Sequence, residues 1–171
     1  DIAEIIPHPS CKIAFDGTDL AHVIISGYKG DEVGGTNSRT LAAWVRTGVG
    51  VAPTNLGIFG FGENQNGDKW NFRTTSQNTP TVPGAIRVEV NGGYIIGSTS
   101  VFDGNWHHVA MTWEDDGTPN VEDVLLYVDG VLETIQNVNP NVIHTDTVNG
   151  IDLAISDDHS NREWNGWLDD V

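Results

Sequence analysis

Asp103-Gly104-Asn105-Trp106-His107-His108-Val109-Ala110-Met111-Thr112-Trp113, followed by Leu126-Tyr127-Val128-Asp129-Gly130-Val131, is the stretch on which the reading of this chain turns. Each half joins an Asp-Gly pair, which suits a tight turn because glycine reaches positive φ without steric cost, to a run of β-branched and aromatic residues that suit a pleated strand. Successive side chains of a strand point to opposite faces. His107, Val109, Met111 and Trp113 therefore share one face, which is expected to look into a core, while His108, Ala110 and Thr112 share the other. The same alternation sends His107 and His108 apart, so this pair is no chelate for a single metal ion.

Outward from this stretch the pattern repeats. Turn pairs stand at Asp16-Gly17, Asn66-Gly67, Asn91-Gly92, Asp116-Gly117, Asn149-Gly150 and Asn165-Gly166. Between them, Lys12–Phe15, His22–Ser26, Thr40–Thr47, Leu56–Gly62, Trp70–Thr74, Ala85–Val90, Tyr94–Ser98, His107–Trp113, Val124–Val128, Val131–Ile135, Ile151–Ser156 and Trp164–Val171 read as strands. So many short strands need two sheets. Composition agrees, since 32 Ile and Val outnumber 8 Leu, and 20 Gly and 15 Asn serve turns. Leu, Ile, Val and Phe make up about 26% of the 171 residues, above the roughly 20% below which a highly charged chain stays disordered. The length fits one domain, residues 1–171. Within it, Ala85–Val90 puts Ile86, Val88 and Val90 on one face and Arg87 and Glu89 on a face expected to be solvated, and Asn91-Gly92-Gly93 turns it back into Tyr94-Ile95-Ile96. Val124–Val128 is apolar on both faces and is expected to lie centrally, covered on its second face.

Three segments, in this order and spacing, resemble the laminin-G-like group of the concanavalin A-like lectin/glucanase superfamily. They are Ile13-Ala14-Phe15-Asp16-Gly17 with Arg39-Thr40-Leu41-Ala42-Ala43-Trp44-Val45-Arg46, the opening stretch quoted above, and Trp164-Asn165-Gly166-Trp167-Leu168-Asp169-Asp170-Val171. The resemblance implies a jelly-roll β-sandwich of two curved antiparallel sheets with the chain ends paired. It implies packed tryptophans at Trp44 and Trp106, and a structural Ca²⁺ held by Asp16 and Asp169 between the first and last strands. Two features depart from the pattern: Ile151–Ser156 lacks the glycine usual before the closing motif, and the chain stops at Val171 where the family's last strand continues. A chain running from Asp1 to Val171 is thus expected to be a module cut from a longer protein.

Charge narrows the partners. The 8 basic and 24 acidic residues give a formal charge of -16, which repels nucleic acid and anionic lipid. No apolar run approaches the roughly 20 residues of a membrane span. Excess acid serves solubility or holds Ca²⁺, which takes oxygen ligands from irregular loops; Asp19, Asp115, Asp116, Asp157 and Asp158 are further acids for such a site. By strand alternation Asp169 shares a face with Trp167, so its carboxylate needs a cation or hydrogen bonds from a neighbouring loop. The lone Cys11 permits no internal disulfide and is expected to be a packed thiol.

Catalytic patterns are incomplete. No E-x-D-x-x-E strand supplies the paired carboxyls of a retaining glycosidase, and Arg87-Val88-Glu89 matches only two positions of the R-x-E-x-R strand of sandwich-type polysaccharide lyases. The expectation is a non-catalytic recognition module, secreted or at a cell surface, binding a glycan or alternatively a protein partner. Sugar sites combine aromatic faces with Asn, Asp or Arg groups that fix hydroxyls. Trp113 faces the core, so Trp70, Asn71, Arg73, His159 and Trp164 are the ligand candidates, the alternative being that each is a core or edge residue.

Overall fold

The computed structural model describes residues 12–18, 21–78, 81–156 and 162–171. Its centre is the antiparallel pairing of Arg39–Thr47 (β3) with His107–Trp113 (β8), registered from Arg39 opposite Trp113 to Val45 opposite His107. Around this pair stand Ile13–Asp16 (β1), Asn165–Asp169 (β13), Leu125–Val128 (β9) and Val131–Leu132 (β10), in the order β1-β13-β3-β8-β9-β10. The second sheet is built from Val23–Ile24 (β2), Gly57–Gly62 (β4), Lys69–Thr74 (β5), Ala85–Glu89 (β6), Tyr94–Ser100 (β7), Asn137–Asn139 (β11) and Ile151–Ile155 (β12), in the order β11-β7-β6-β5-β4-β12-β2. All ladders are antiparallel. The first and last strands pair, Ile13 opposite Leu168 and Asp16 opposite Asn165, as the resemblance implied.

All twelve runs read as strands from the sequence carry one here, and β11 is the addition. Asn137-Val138-Asn139 has the composition of a loop, and it becomes a strand only because β7 offers an open edge for it to pair with. The Asn91-Gly92 hairpin forms as expected, Glu89 opposite Tyr94, with Asn91 and Gly92 both at positive φ. One expectation about the strands fails. β9 is not central but lies beside the two-residue edge strand β10, and Leu125 on its outer face is exposed. Its two-sided apolarity reflects a half-uncovered sheet rather than a second cover. The missing glycine in β12 is answered one residue earlier: a Cβ on Gly150 would lie 2.6 Å from the Gly62 carbonyl carbon, so the close backbone approach is made at Gly150.

The core fills the space between the sheets by alternation. Ala43, Val45, Val109, Met111, Trp113, Leu126, Val128 and Leu168 come from one sheet; Phe59, Phe61, Trp70, Phe72, Ile86, Val88 and Ile95 come from the other. Trp70 and Trp113 meet across the interior, ring centroids 6.5 Å apart. The implied core position of Trp44 is not observed: it projects from the outer face of its sheet, half-buried, edge-on to His108 at 5.3 Å, because Ala43 and Val45 on either side take the inward positions. Beside the Trp70–Trp113 contact lies Arg39, 4% exposed, its guanidinium 4.5 Å from the Trp70 ring and 5.3 Å from Trp113. It donates to the Asn37 and Gly35 carbonyls and to the Thr145 hydroxyl. Burial lowers its pKa to about 10, and it stays charged. Arg39→Ala removes the donor to the Asn37 carbonyl and the Thr145 hydroxyl and opens a void against two tryptophans, so chemical denaturation should show a loss of about 2–4 kcal/mol.

Candidate functional site

Strand alternation that sends Trp70 and Phe72 inward sends Lys69, Asn71 and Arg73 to the outer face of the seven-stranded sheet. The neighbouring β6 does the same with Arg87 and Glu89, and the register sets Arg73 opposite Arg87 and Asn71 opposite Glu89. Across the next ladder Glu89 stands opposite Tyr94. Three basic side chains meet here on one carboxylate: Glu89 receives Lys69 Nζ at 3.1 Å, Arg73 Nη2 at 2.5 Å and Arg87 Nη2 at 2.5 Å. Arg73 also donates to Asn55 Oδ1, and the Arg87 guanidinium lies 4.0 Å from the centre of the Tyr94 ring. Lys69, Asn71 and Arg73 are buried at the floor, whereas Arg87, Glu89 and Tyr94 are half-buried and form its accessible side. The face carrying Arg87 and Glu89, expected to be solvated, is therefore a packed ionic cluster; the sequence could not show that β5 would lay Arg73 and Lys69 beside it.

The electrostatics follow from this crowding. Burial opposes charge on Glu89, but Arg73, Arg87 and Lys69 outweigh it and hold the carboxyl at about 2. Burial and the nearby positive charge of Arg73 lower the Arg87 pKa to about 10, with Arg162 adding to the effect and Glu89 and Tyr94 opposing it. Such a surface can donate several charge-assisted hydrogen bonds in fixed directions, and Glu89 remains an acceptor throughout the neutral range.

The candidate residues divide. Asn71 and Arg73 belong to this cluster. Trp70 and Trp164 do not: both are fully buried, so neither ring can meet a sugar. Trp70 packs in the core, and Trp164 donates from Nε1 to the Arg46 carbonyl while its backbone N–H reaches Ser156 Oγ. A signal for both was present, since Trp70 shares its face with Phe72, and Trp164 with Gly166 and the buried Leu168. His159 lies outside the described residues, as do Cys11, Asp19, Asp157 and Asp158. The proposed calcium pair is separated by the register: Asp16 sits opposite Asn165, four residues from Asp169 along β13, or about 13 Å at strand rise. Asp16 turns back on Thr18, taking its backbone N–H and hydroxyl, while Asp169 is 5% exposed and its Oδ2 accepts from no group. Among the described residues no group of three or more His, Asp or Glu side chains is placed to hold a metal ion.

The paired histidines also resolve. His107 bridges two turns, Nδ1 2.8 Å from Asp129 and Nε2 3.1 Å from Asp103, and Asp129 accepts the His108 backbone N–H. Burial works against its charged form, but the hydrogen bonds to Asp129 and Asp103 raise its pKa above 6.5. This is a latch between the Asp103 and Asp129 turns, on the other sheet from the ionic cluster.

The laminin G model described as the concanavalin A-like lectin/glucanases superfamily matches residues 21–171. The chain belongs to this superfamily. No curated protein matches its sequence. Among solved structures it is similar to the CBM40 carbohydrate-binding module of the Ruminococcus gnavus IT-sialidase bound to alpha2,3 sialyllactose, with a TM-score of 0.65 at 11% identity over 92% of this chain and 88% of that one. It is similar to domain 4 of an extracellular family GH43 arabinanase of Geobacillus stearothermophilus in complex with arabinotriose, with a TM-score of 0.52 at 15% identity over 80% and 59%. Domains LG4-5 of the mouse laminin alpha1 chain match with a TM-score of 0.54 at 16% identity, over 96% of this chain and 40% of that one. At these identities the likeness is one of fold, a two-sheet sandwich shared by sugar-binding and laminin domains of the superfamily.

Two titrations distinguish the ionic clusters. Glu89 has a depressed pKa, so its contribution is present above pH 4.5 and lost as pH falls towards about 2. Glu89→Gln should lower stability at pH 7 by about 3 kcal/mol and flatten that acid limb in thermal melts. His107, with a raised pKa, contributes fully below pH 6.5 and loses its contribution as pH rises through its higher folded value. His107→Gln should remove that alkaline decline.

Proposed function

We propose that this chain is a non-catalytic recognition module that binds carbohydrate on the outer face of the seven-stranded sheet. The observation that carries the reading is the half-buried set of Arg87, Glu89 and Tyr94, backed by Arg73 at the floor, which joins directed donors, an acceptor and an aromatic group on one sheet face. Sugar hydroxyls both donate and accept, and this set offers both functions. The likeness to the CBM40 module with sialyllactose and to the arabinanase domain with arabinotriose supports the same ligand class.

Binding rather than turnover is supported by the protonation of the cluster. Hydrolysis of a glycosidic bond needs one carboxyl to give a proton and a second to act as nucleophile or base. Glu89, held ionised with a pKa of about 2, has no proton to give near neutrality. We place the module on a secreted or cell-surface protein, in keeping with the extracellular arabinanase among its structural neighbours. A protein-adhesion reading draws on a different surface: Leu125 and Leu132 are exposed on the outer face of β9 and β10 in the opposite sheet.

A glycan array probed with the folded chain tests the first reading. Binding to at least one glycan is expected, weakened on the order of tenfold or more by Arg87→Gln and unaffected by Trp167→Ala on the opposite sheet. Silence across the array, with the thermal melt of the chain intact, would overturn glycan recognition in favour of adhesion.

A further inference from the structure

We infer that the Asn91-Gly92 turn between β6 and β7 modifies itself: the Asn91 side-chain amide leaves as ammonia, and the turn becomes aspartyl or isoaspartyl. Glycine after asparagine favours this chemistry because no Cβ crowds its backbone nitrogen. The Gly92 nitrogen gives up its proton and attacks Asn91 Cγ. The N–Cγ bond forms, and the Cγ–Nδ2 bond breaks as ammonia departs with that proton. Solvent water then opens the cyclic imide. Opening at Cγ leaves aspartate; opening at the backbone carbonyl leaves isoaspartate, with an added methylene in the main chain and no change of oxidation state. The chain holds four Asn-Gly pairs, and packing withholds the other three. Gly67 N–H is engaged by the Asn91 carbonyl, and Asn66 Oδ1 accepts from Asn141 Nδ2. Asn149 is tied through its backbone N–H and its Nδ2 to the Asp146 carboxylate, and Gly150 is buried against Gly62. Asn165 and Gly166 lie inside β13, paired on both sides.

The hairpin pair is held differently. Gly92 is exposed, and among the described residues its N–H reaches no acceptor. The Asn91 amide reaches Asn64 Oδ1 only at 3.4 Å, near the limit of a hydrogen bond. Two donors also prepare the attack: the Asn91 carbonyl accepts from Gly67 N–H at 2.9 Å and from Asn141 Nδ2 at 3.0 Å. When the Gly92 nitrogen loses its proton, resonance across the peptide C–N bond spreads the charge onto this oxygen. Donors already fixed there stabilise it. The bond that keeps Gly67 from attacking Asn66 thus helps Gly92 attack Asn91. Glu89 and Tyr94 pair across this turn, so a lengthened main chain displaces the accessible edge of the candidate site. That effect on a ligand rests on the glycan reading, whereas the modification itself does not.

Incubation of the folded chain in warm, mildly alkaline buffer tests this without requiring any variant to fold. A glutamate-specific protease then places the four pairs on separate peptides, 64–89, 90–114, 134–163 and 164–171. The mass change of amide to acid should appear in 90–114, located at Asn91 by fragmentation. Its rate should exceed that of each other pair on the order of tenfold or more, the protection that a few hydrogen bonds holding a segment closed provide. The same peptide should take a methyl group from isoaspartyl methyltransferase. Asn141→Ala, shown to be folded by its thermal melt, should slow the reaction at Asn91 several-fold. An unchanged Asn91, or equal rates across the four pairs, would remove the site. A rate in Asn141→Ala equal to or above that of the unmodified chain would overturn the part given to Asn141. Neither readout uses a glycan, so failure here leaves the recognition reading standing, and silence on the array leaves this site standing.

Discussion

The two-residue alternation of β5 and β6, held in register by their antiparallel ladder, is the constraint on which both halves of this molecule depend. It drives Trp70, Phe72, Ile86 and Val88 into the core and in the same stroke brings Lys69, Asn71, Arg73, Arg87 and Glu89 together outside. A slip of one residue would exchange the faces of the slipped strand, burying charge against tryptophan and exposing the core. Core and candidate site are therefore one structural decision rather than two. The apolar face, whose removal from water is favourable by about 25 cal/mol per Å², fixes the register that the ionic face requires.

Arginine is used in two ways. Arg39 is a packing residue: its charge lies across Trp70 and Trp113 and its N–H groups close carbonyls at one end of the core. Arg73 and Arg87 stand on the other side of the sheet, where a carboxylate and a tyrosine ring organise them. Burial lowers the pKa of Arg39 and Arg87 alike, so the shift by itself does not separate structure from function. What differs between them is their partners: the N–H groups of Arg39 reach two carbonyls and a hydroxyl, whereas Arg73 and Arg87 both reach the Glu89 carboxylate.

The motif that identified the family turns out to be architectural. His107 ties the Asp103 turn to the Asp129 turn, and Asp129 takes the His108 backbone N–H. A second acid of this kind is Glu133, buried at the end of β7, whose carboxylate accepts the Ser98 and Thr99 backbone N–H groups and both hydroxyls. These acids explain part of the negative composition without any ligand, as satisfied acceptors at the turns where strand backbones end.

The sequence by itself determined the class of fold and nearly every strand, because period-two apolar runs and Asx-Gly turns are local signals that each segment carries alone. That first and last strands pair was implied by the family resemblance, which rests on motifs at the two ends of the chain, and the register shows it. The sequence did not show that Trp70 and Trp164 are buried when read by their polar neighbours, although Phe72 and Leu168 two and four residues away mark their faces. Nor did it show that Asp16 pairs with Asn165, at the opposite end of β13 from Asp169, which depends on a register no single segment encodes. Only the tertiary structure decided which charges meet. Arg73 and Arg87 are 14 residues apart in the chain and become direct neighbours because β5 and β6 pair. Their electrostatics arise from distance and burial, which are properties of the packed sheet and not of either strand.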